Sequence, residues 1–140
     1  MLGSIHHVGY LARDLEDALR RFTARFGVEI VRRFERPQFA LEGVYLGAPH
    51  GDVELFSFTD EQLLERRLGA AAKLTLDHVA YEVSDLAALE SRMRGEGVRF
   101  AGPDLREELA APVDLGGTLH LWTVPQTCWG QSLQLLQRLS

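Results

Sequence analysis

The sequence is poor in cysteine: Cys128 is the only one in 140 residues. A single thiol excludes an intrachain disulfide framework and fits a reducing compartment. Basic runs are missing too, and the net charge is −5, which argues against nucleic acid as a partner. No long hydrophobic run and no basic leader precede the first strand-like stretch. Neither a membrane span nor a signal peptide is therefore expected, and the cytoplasm is the expected location. Low-complexity segments are absent as well. What remains is the balance of a soluble globular protein, with 46% hydrophobic and 25% charged residues. The length suits one domain able to bury its own core.

What the sequence does contain is an internal repeat. The opening run Ile5-His6-His7-Val8-Gly9-Tyr10-Leu11-Ala12-Arg13-Asp14-Leu15 returns as Leu76-Asp77-His78-Val79-Ala80-Tyr81-Glu82-Val83-Ser84-Asp85-Leu86. His7 meets His78, Val8 meets Val79, Tyr10 meets Tyr81, Asp14 meets Asp85 and Leu15 meets Leu86, all at one offset close to half the chain. Self-similarity at that spacing fixes an architecture of two like modules before any local detail does.

Each module reads as a strand, a helix and three strands. In the first, residues 4–11 alternate as a strand. Asp14 is an N-cap, and Leu15, Ala18, Leu19, Phe22 and Phe26 form one helical face, with Arg13, Glu16, Asp17, Arg20 and Arg21 on its wet side and Gly27 closing it. Strands are expected over 28–34, 39–46 and 52–58, then a short helix from Glu61 to Leu68 capped by Asp60. In the second, a strand over 75–83 leads to a helix from Asp85 to Arg94, then strands over 98–101, 118–124 and 131–139. Residues 104–117 give no clear pattern. The segment 69–73 is too short and apolar for a flexible linker. One domain is therefore expected, with module one at 1–69 and module two at 74–140. Its fold class is α+β: two paired βαβββ modules forming a curved eight-stranded cup with helices outside.

Side chains alternate across a strand. Val8 and Tyr10 on the helix side turn His7 into the cup, and Val79 and Tyr81 do the same for His78. Val53 and Leu55 leave Glu54 pointing inward, and Leu133 and Leu135 leave Gln134 inward. Two imidazoles, a carboxylate and an amide oxygen make a donor set for a borderline divalent ion: Zn, Ni, Co, Fe or Mn. The ion would stabilise negative charge on a carbonyl substrate. Of the two closing-strand groups, Glu54 can take a proton and Gln134 cannot.

On these residues the chain resembles the vicinal oxygen chelate superfamily, which includes glyoxalase I, methylmalonyl-CoA epimerase, extradiol dioxygenases and bleomycin-resistance proteins. The resemblance is carried by the opening His-His-Val-Gly-Tyr-Leu-Ala-Arg-Asp-Leu, by Val53-Glu54-Leu55, by Leu76-Asp77-His78-Val79-Ala80-Tyr81, by Gly95-Glu96-Gly97-Val98 and by Gly130-Gln131-Ser132-Leu133-Gln134-Leu135-Leu136. It implies a glyoxalase-like fold, a homodimer, and metal positions at His7, Glu54, His78 and Gln134. It also implies metal-dependent isomerase, epimerase or lyase chemistry beside a carbonyl or thioester of a small molecule, with Glu54 or a metal-bound hydroxide moving the proton. Glyoxalase I and the epimerase have glutamate where Gln134 stands. The epimerase's further glutamate on the third strand aligns with Leu46. Two other readings of the same cup are a binding protein that sequesters a drug or metabolite and an iron-dependent dioxygenase.

Other residues are assigned more modest roles. His6 faces away by parity, His50 sits in a turn, and Cys128 has no histidine partner in sequence. The family's phasing points Leu119, Leu121 and Thr123 into the cup and makes His120 structural; the opposite phase would make His120 an acid or base. Arg32, Arg33 and Arg36 read as a solvated strand edge with an alternative role at the cup mouth. Phe56 and Phe58 are expected to wall the site.

Overall fold

Three aspartates start the helices, as their positions in the sequence require. In the computed structural model, which describes residues 2–140, Asp14 accepts a hydrogen bond from the Asp17 amide, Asp60 from Gln62 and Leu63, and Asp85 from Ala88. Each cap satisfies amide donors that a helix leaves open and contributes about 1 kcal/mol. The helices are α1 (Leu15–Phe26), α2 (Glu61–Leu68) and α3 (Leu86–Gly95). Gly27 ends α1 in the left-handed region at φ 62°, where a side chain would be strained.

Among the described residues nine strands accompany them: β1 (Leu2–Ala12), β2 (Ile30–Arg36), β3 (Leu41–Leu46), β4 (Val53–Phe58), β5 (Leu74–Val83), β6 (Phe100–Ala101), β7 (Val113–Asp114), β8 (Thr118–Thr123) and β9 (Ser132–Arg138). The mixed α+β architecture is the expected one, with one strand more than the eight anticipated. The addition is β7, a two-residue strand antiparallel to β8 in the stretch that gave no clear pattern. The third strand starts later than expected, because Pro37–Phe39 winds into a 3-10 turn that Ala40 closes at positive φ.

The chain forms two compact units, His7–Asp77 and His78–Ser140 with residues 2–6. In the first unit, β2 pairs with β3 and β3 with β4, both antiparallel, and β4 pairs parallel with β1. Leu15 and Leu19 of α1 pack on Val44, Leu46 and Leu55, with Tyr10 and Phe22 beside them. Leu63, Leu64 and Leu68 of α2 pack on Leu11, Leu41, Phe56 and Phe58. Gly43 lets β2 and β3 close up: a Cβ there would lie 2.3 Å from the Phe34 ring. Arg13 is a correction. It precedes the helix rather than lining its wet side, and its guanidinium bonds to Glu65 and to the Gly69 and Ala72 carbonyls, pinning the segment that follows α2.

The second unit repeats the plan. β5 pairs parallel with β9, β9 antiparallel with β8, and β6 antiparallel with β8. Leu86 of α3 packs with Val83, Phe100, Leu121 and Leu135. Gln137 reaches across to accept the Leu86 amide at 2.8 Å, so it serves the helix start rather than the solvent. No described helix is long and apolar enough to cross a membrane.

Candidate metal centre

In the first unit β1 carries His7 and β4 carries Glu54. Glu54 stands in register with Gly9 of β1 and Tyr45 of β3. Residues in register share a face, so Glu54, Tyr45 and His7 emerge together, opposite the side that packs on α1. His7 is 1% exposed and Glu54 6%, and His7 Nε2 lies 3.5 Å from Glu54 Oε2. The Tyr45 ring meets the His7 ring edge-on at 5.4 Å. Burial first, and then the charge and hydrogen bond of Glu54, push the Tyr45 phenol well above its ordinary range. It therefore stays protonated and donates to the Glu54 carboxylate.

Two sequence expectations about this unit change. Leu46, which aligns with the epimerase's further glutamate, is in register with Val53 and packs under α1. The site-side residue at that end of β3 is Tyr45, one position earlier. The three arginines of β2 also divide by parity. Arg33 turns to Glu16 of α1, with Nη1 2.7 Å from the carboxylate. Arg32 and Arg36 take the Tyr45 side. The Arg32 guanidinium lies 4.8 Å from the Tyr45 ring centre, and that of Arg36 5.6 Å from the Phe34 ring centre.

In the second unit His78 is 5% exposed and Gln134 4%. His78 is in register with Ser132 and Ala80 with Gln134, so both side chains leave the β5–β9 pair on one face, away from the α3 side. Thr123 fixes this phase. Its hydroxyl donates to the Gln131 carbonyl and accepts the Leu133 amide, both at 2.9 Å.

The phasing that made His120 structural is overturned here. Trp122 is in register with Gln134 and His120 with Leu136. Leu121, expected on the site side, packs with α3 instead. Gln134 Nε2 lies 2.9 Å from His120 Nδ1. An amide nitrogen only donates, so Nδ1 accepts and the His120 proton sits on Nε2. The same bond turns Gln134 Oε1 away from His120. Trp122 stacks on the imidazole at 5.6 Å and steadies it. Sequence reasoning mis-phased this strand because Leu119, His120, Leu121 and Trp122 offer no clean apolar alternation.

His7, Glu54 and His78 each present one ligand atom, and these atoms all lie within 4.8 Å of one another. Donors on one ion are separated by at most about twice a 2.0–2.2 Å bond, so the spacing is close to chelating range. Two imidazoles and a carboxylate, all buried, suit a borderline divalent ion. The residues present therefore fit a metal. Cys128 is buried and free, and His50 lies exposed in a turn.

Comparison with known proteins identifies the family and the fold. Residues 6–114 match the family model described as the Glyoxalase/Bleomycin resistance protein/Dioxygenase superfamily. An ethylmalonyl-CoA/methylmalonyl-CoA epimerase of Cereibacter sphaeroides is 25% identical over 107 residues, covering 73% of this chain and 77% of that protein. The crystal structure of methylmalonyl-CoA epimerase from Mycobacterium tuberculosis superposes with a TM-score of 0.81 at 20% identity, covering 99% of this chain and 90% of that one. A Streptomyces coelicolor methylmalonyl-CoA epimerase variant in complex with 2-nitronate-propionyl-CoA gives 0.78 at 19% identity, with both chains fully covered. At these identities the structural likeness is one of fold.

Proposed function

The chain belongs to the glyoxalase/bleomycin resistance protein/dioxygenase superfamily, and on that premise we propose that it is a divalent-metal-dependent isomerase, of epimerase type, that moves a proton beside the carbonyl of a small acyl thioester. The observation that carries the reading is the buried His7, Glu54 and His78 group with its ligand atoms within 4.8 Å. The sequence relative that acts as an ethylmalonyl-CoA/methylmalonyl-CoA epimerase supports the thioester class. Arg32 and Arg36 support an anionic substrate: both share the face of Tyr45, and neither makes an ion pair with a carboxylate among the described residues.

The proposed ligands are His7, Glu54 and His78, with the Gln134 carbonyl oxygen as the fourth. When bound, the ion supplies positive charge beside the substrate carbonyl and lowers the cost of forming the enolate. Glu54 takes the proton from the neighbouring carbon and exchanges it with solvent, and a proton delivered to the opposite face of the planar enolate gives the epimer. Tyr45, held protonated, orients the Glu54 carboxylate by its hydrogen bond. Gln134 contributes oxygen without charge and cannot accept the proton. The burial of all four side chains excludes bulk water from the charge that develops.

The test is solvent exchange. Metal-loaded protein incubated with methylmalonyl-CoA in D2O should place deuterium at the carbon next to the carbonyl, and the Glu54→Gln protein should not. A native rate equal to that of the metal-free protein would sink the proposal. A binding protein of the same fold would hold the thioester and leave it undeuterated.

A further inference from the structure

Ser132 is the residue that the site as described so far leaves unexplained. It opens β9 in register with His78, so its hydroxyl leaves the sheet on the face of His78 and Gln134. The residue is 9% exposed. Its Oγ is the one buried side-chain polar atom without a hydrogen-bond partner among the described residues. A buried hydroxyl left unpaired costs about 1–3 kcal/mol, and such atoms call for a specific explanation. The Thr123 hydroxyl bonds on both sides, to Gln131 and to Leu133, and fixes the backbone at the strand start. A serine hydroxyl donates one hydrogen. Beside a centre that builds negative charge on a substrate oxygen, the fitting acceptor is that oxygen.

We infer that Ser132 is a substrate-binding catalytic residue, whose Oγ–H donates to the thioester carbonyl oxygen as it becomes an enolate. The inference rests on the thioester proton-transfer reading above. Proton and charge balance within it: the carbon-bound proton passes to Glu54, the electron pair it leaves moves toward the carbonyl oxygen, and Ser132 keeps its own proton throughout. The hydrogen bond strengthens as that oxygen gains charge, so it favours the transition state over the ground state.

The probe is 2-nitronate-propionyl-CoA, which carries a fixed negative charge beside the thioester. Its dissociation constant is measured by calorimetry on the metal-loaded native, Ser132→Ala and Ser132→Thr proteins, with methylmalonyl-CoA, whose charge stays on its carboxylate and whose thioester carbonyl is neutral, as the control. Ser132→Ala should weaken nitronate binding by roughly 100-fold, the low end for losing one oxyanion donor, and should weaken the control far less. Ser132→Thr keeps a hydroxyl and should recover most of the loss. The melting temperature of ligand-free Ser132→Ala should be unchanged or higher, because removing an unpaired hydroxyl loses no bond. Equal nitronate affinity in native and Ser132→Ala proteins would overturn the role of Ser132 alone. A lower melting temperature for Ser132→Ala would do the same, by showing that a structural water or an internal partner already holds the hydroxyl. Failure of the native protein to bind the nitronate would overturn the thioester reading and this inference with it.

Discussion

The two units present their candidate ligands on one plan and differ in one chemical respect. In the first, the closing strand offers Glu54, and the neighbouring strand places Tyr45 in register with it as a hydrogen-bond donor. In the second, the closing strand offers Gln134, with Trp122 in register and His120 two residues away as a hydrogen-bond acceptor. The direction of the supporting bond is reversed. A carboxylate only accepts, so its support must donate. An amide presents its oxygen to an ion only if its nitrogen is engaged elsewhere, so its support must accept. One half supplies charge and a proton carrier, and the other supplies a neutral oxygen.

Substitutions can erase this difference or sharpen it. The largest expected effect comes from Glu54→Gln, which makes both closing strands carry an amide. Deuterium exchange into methylmalonyl-CoA should fall by about 10²–10⁴-fold, the contribution of a general base, while fold and melting temperature persist. Tyr45→Phe removes the donor and leaves the carboxylate. Zn²⁺ affinity, read by competition with a chromophoric chelator, should drop by roughly 10–100-fold, as for other outer partners of metal ligands. His120→Ala frees the Gln134 amide to turn. It should weaken Zn²⁺ binding at the lower end of that range, about tenfold. The loss should disappear in a Gln134→Glu background, because a carboxylate presents oxygen either way round. An equal loss in both backgrounds would show that His120 acts through packing. Leu46→Ala should leave metal affinity untouched and cost about 2–5 kcal/mol of stability in denaturant unfolding, since Leu46 is buried under α1 rather than in the site.

The repeat made the modules, the helix starts and the faces of His7, Glu54, His78 and Gln134 legible, because caps and alternation are local and were written twice. Val8 and Tyr10, or Leu133 and Leu135, mark the helix-facing side by their alternation. The third strand of each module was harder. Leu41 and Leu46 on β3 lie on opposite faces and both are buried, so apolarity does not tell one face from the other. On β8, Leu121 and Trp122 pose the same problem. The phase there is decided by register with the closing strand, and that information lies in pairing rather than in either strand's sequence. Ser132 was overlooked because a serine at a strand start is unremarkable until its hydroxyl is seen buried without a partner.

The central claim is that His7, Glu54 and His78 together hold one divalent ion. It is tested most directly by titrating metal-free protein with Co²⁺ and following the visible absorption that coordination by protein ligands produces. The account predicts saturation at about one equivalent in the native protein and loss of that absorption in His78→Ala, because ligation needs the imidazole itself. Absorption unchanged from Co²⁺ in buffer, or a titration indistinguishable between native and His78→Ala proteins, would contradict it.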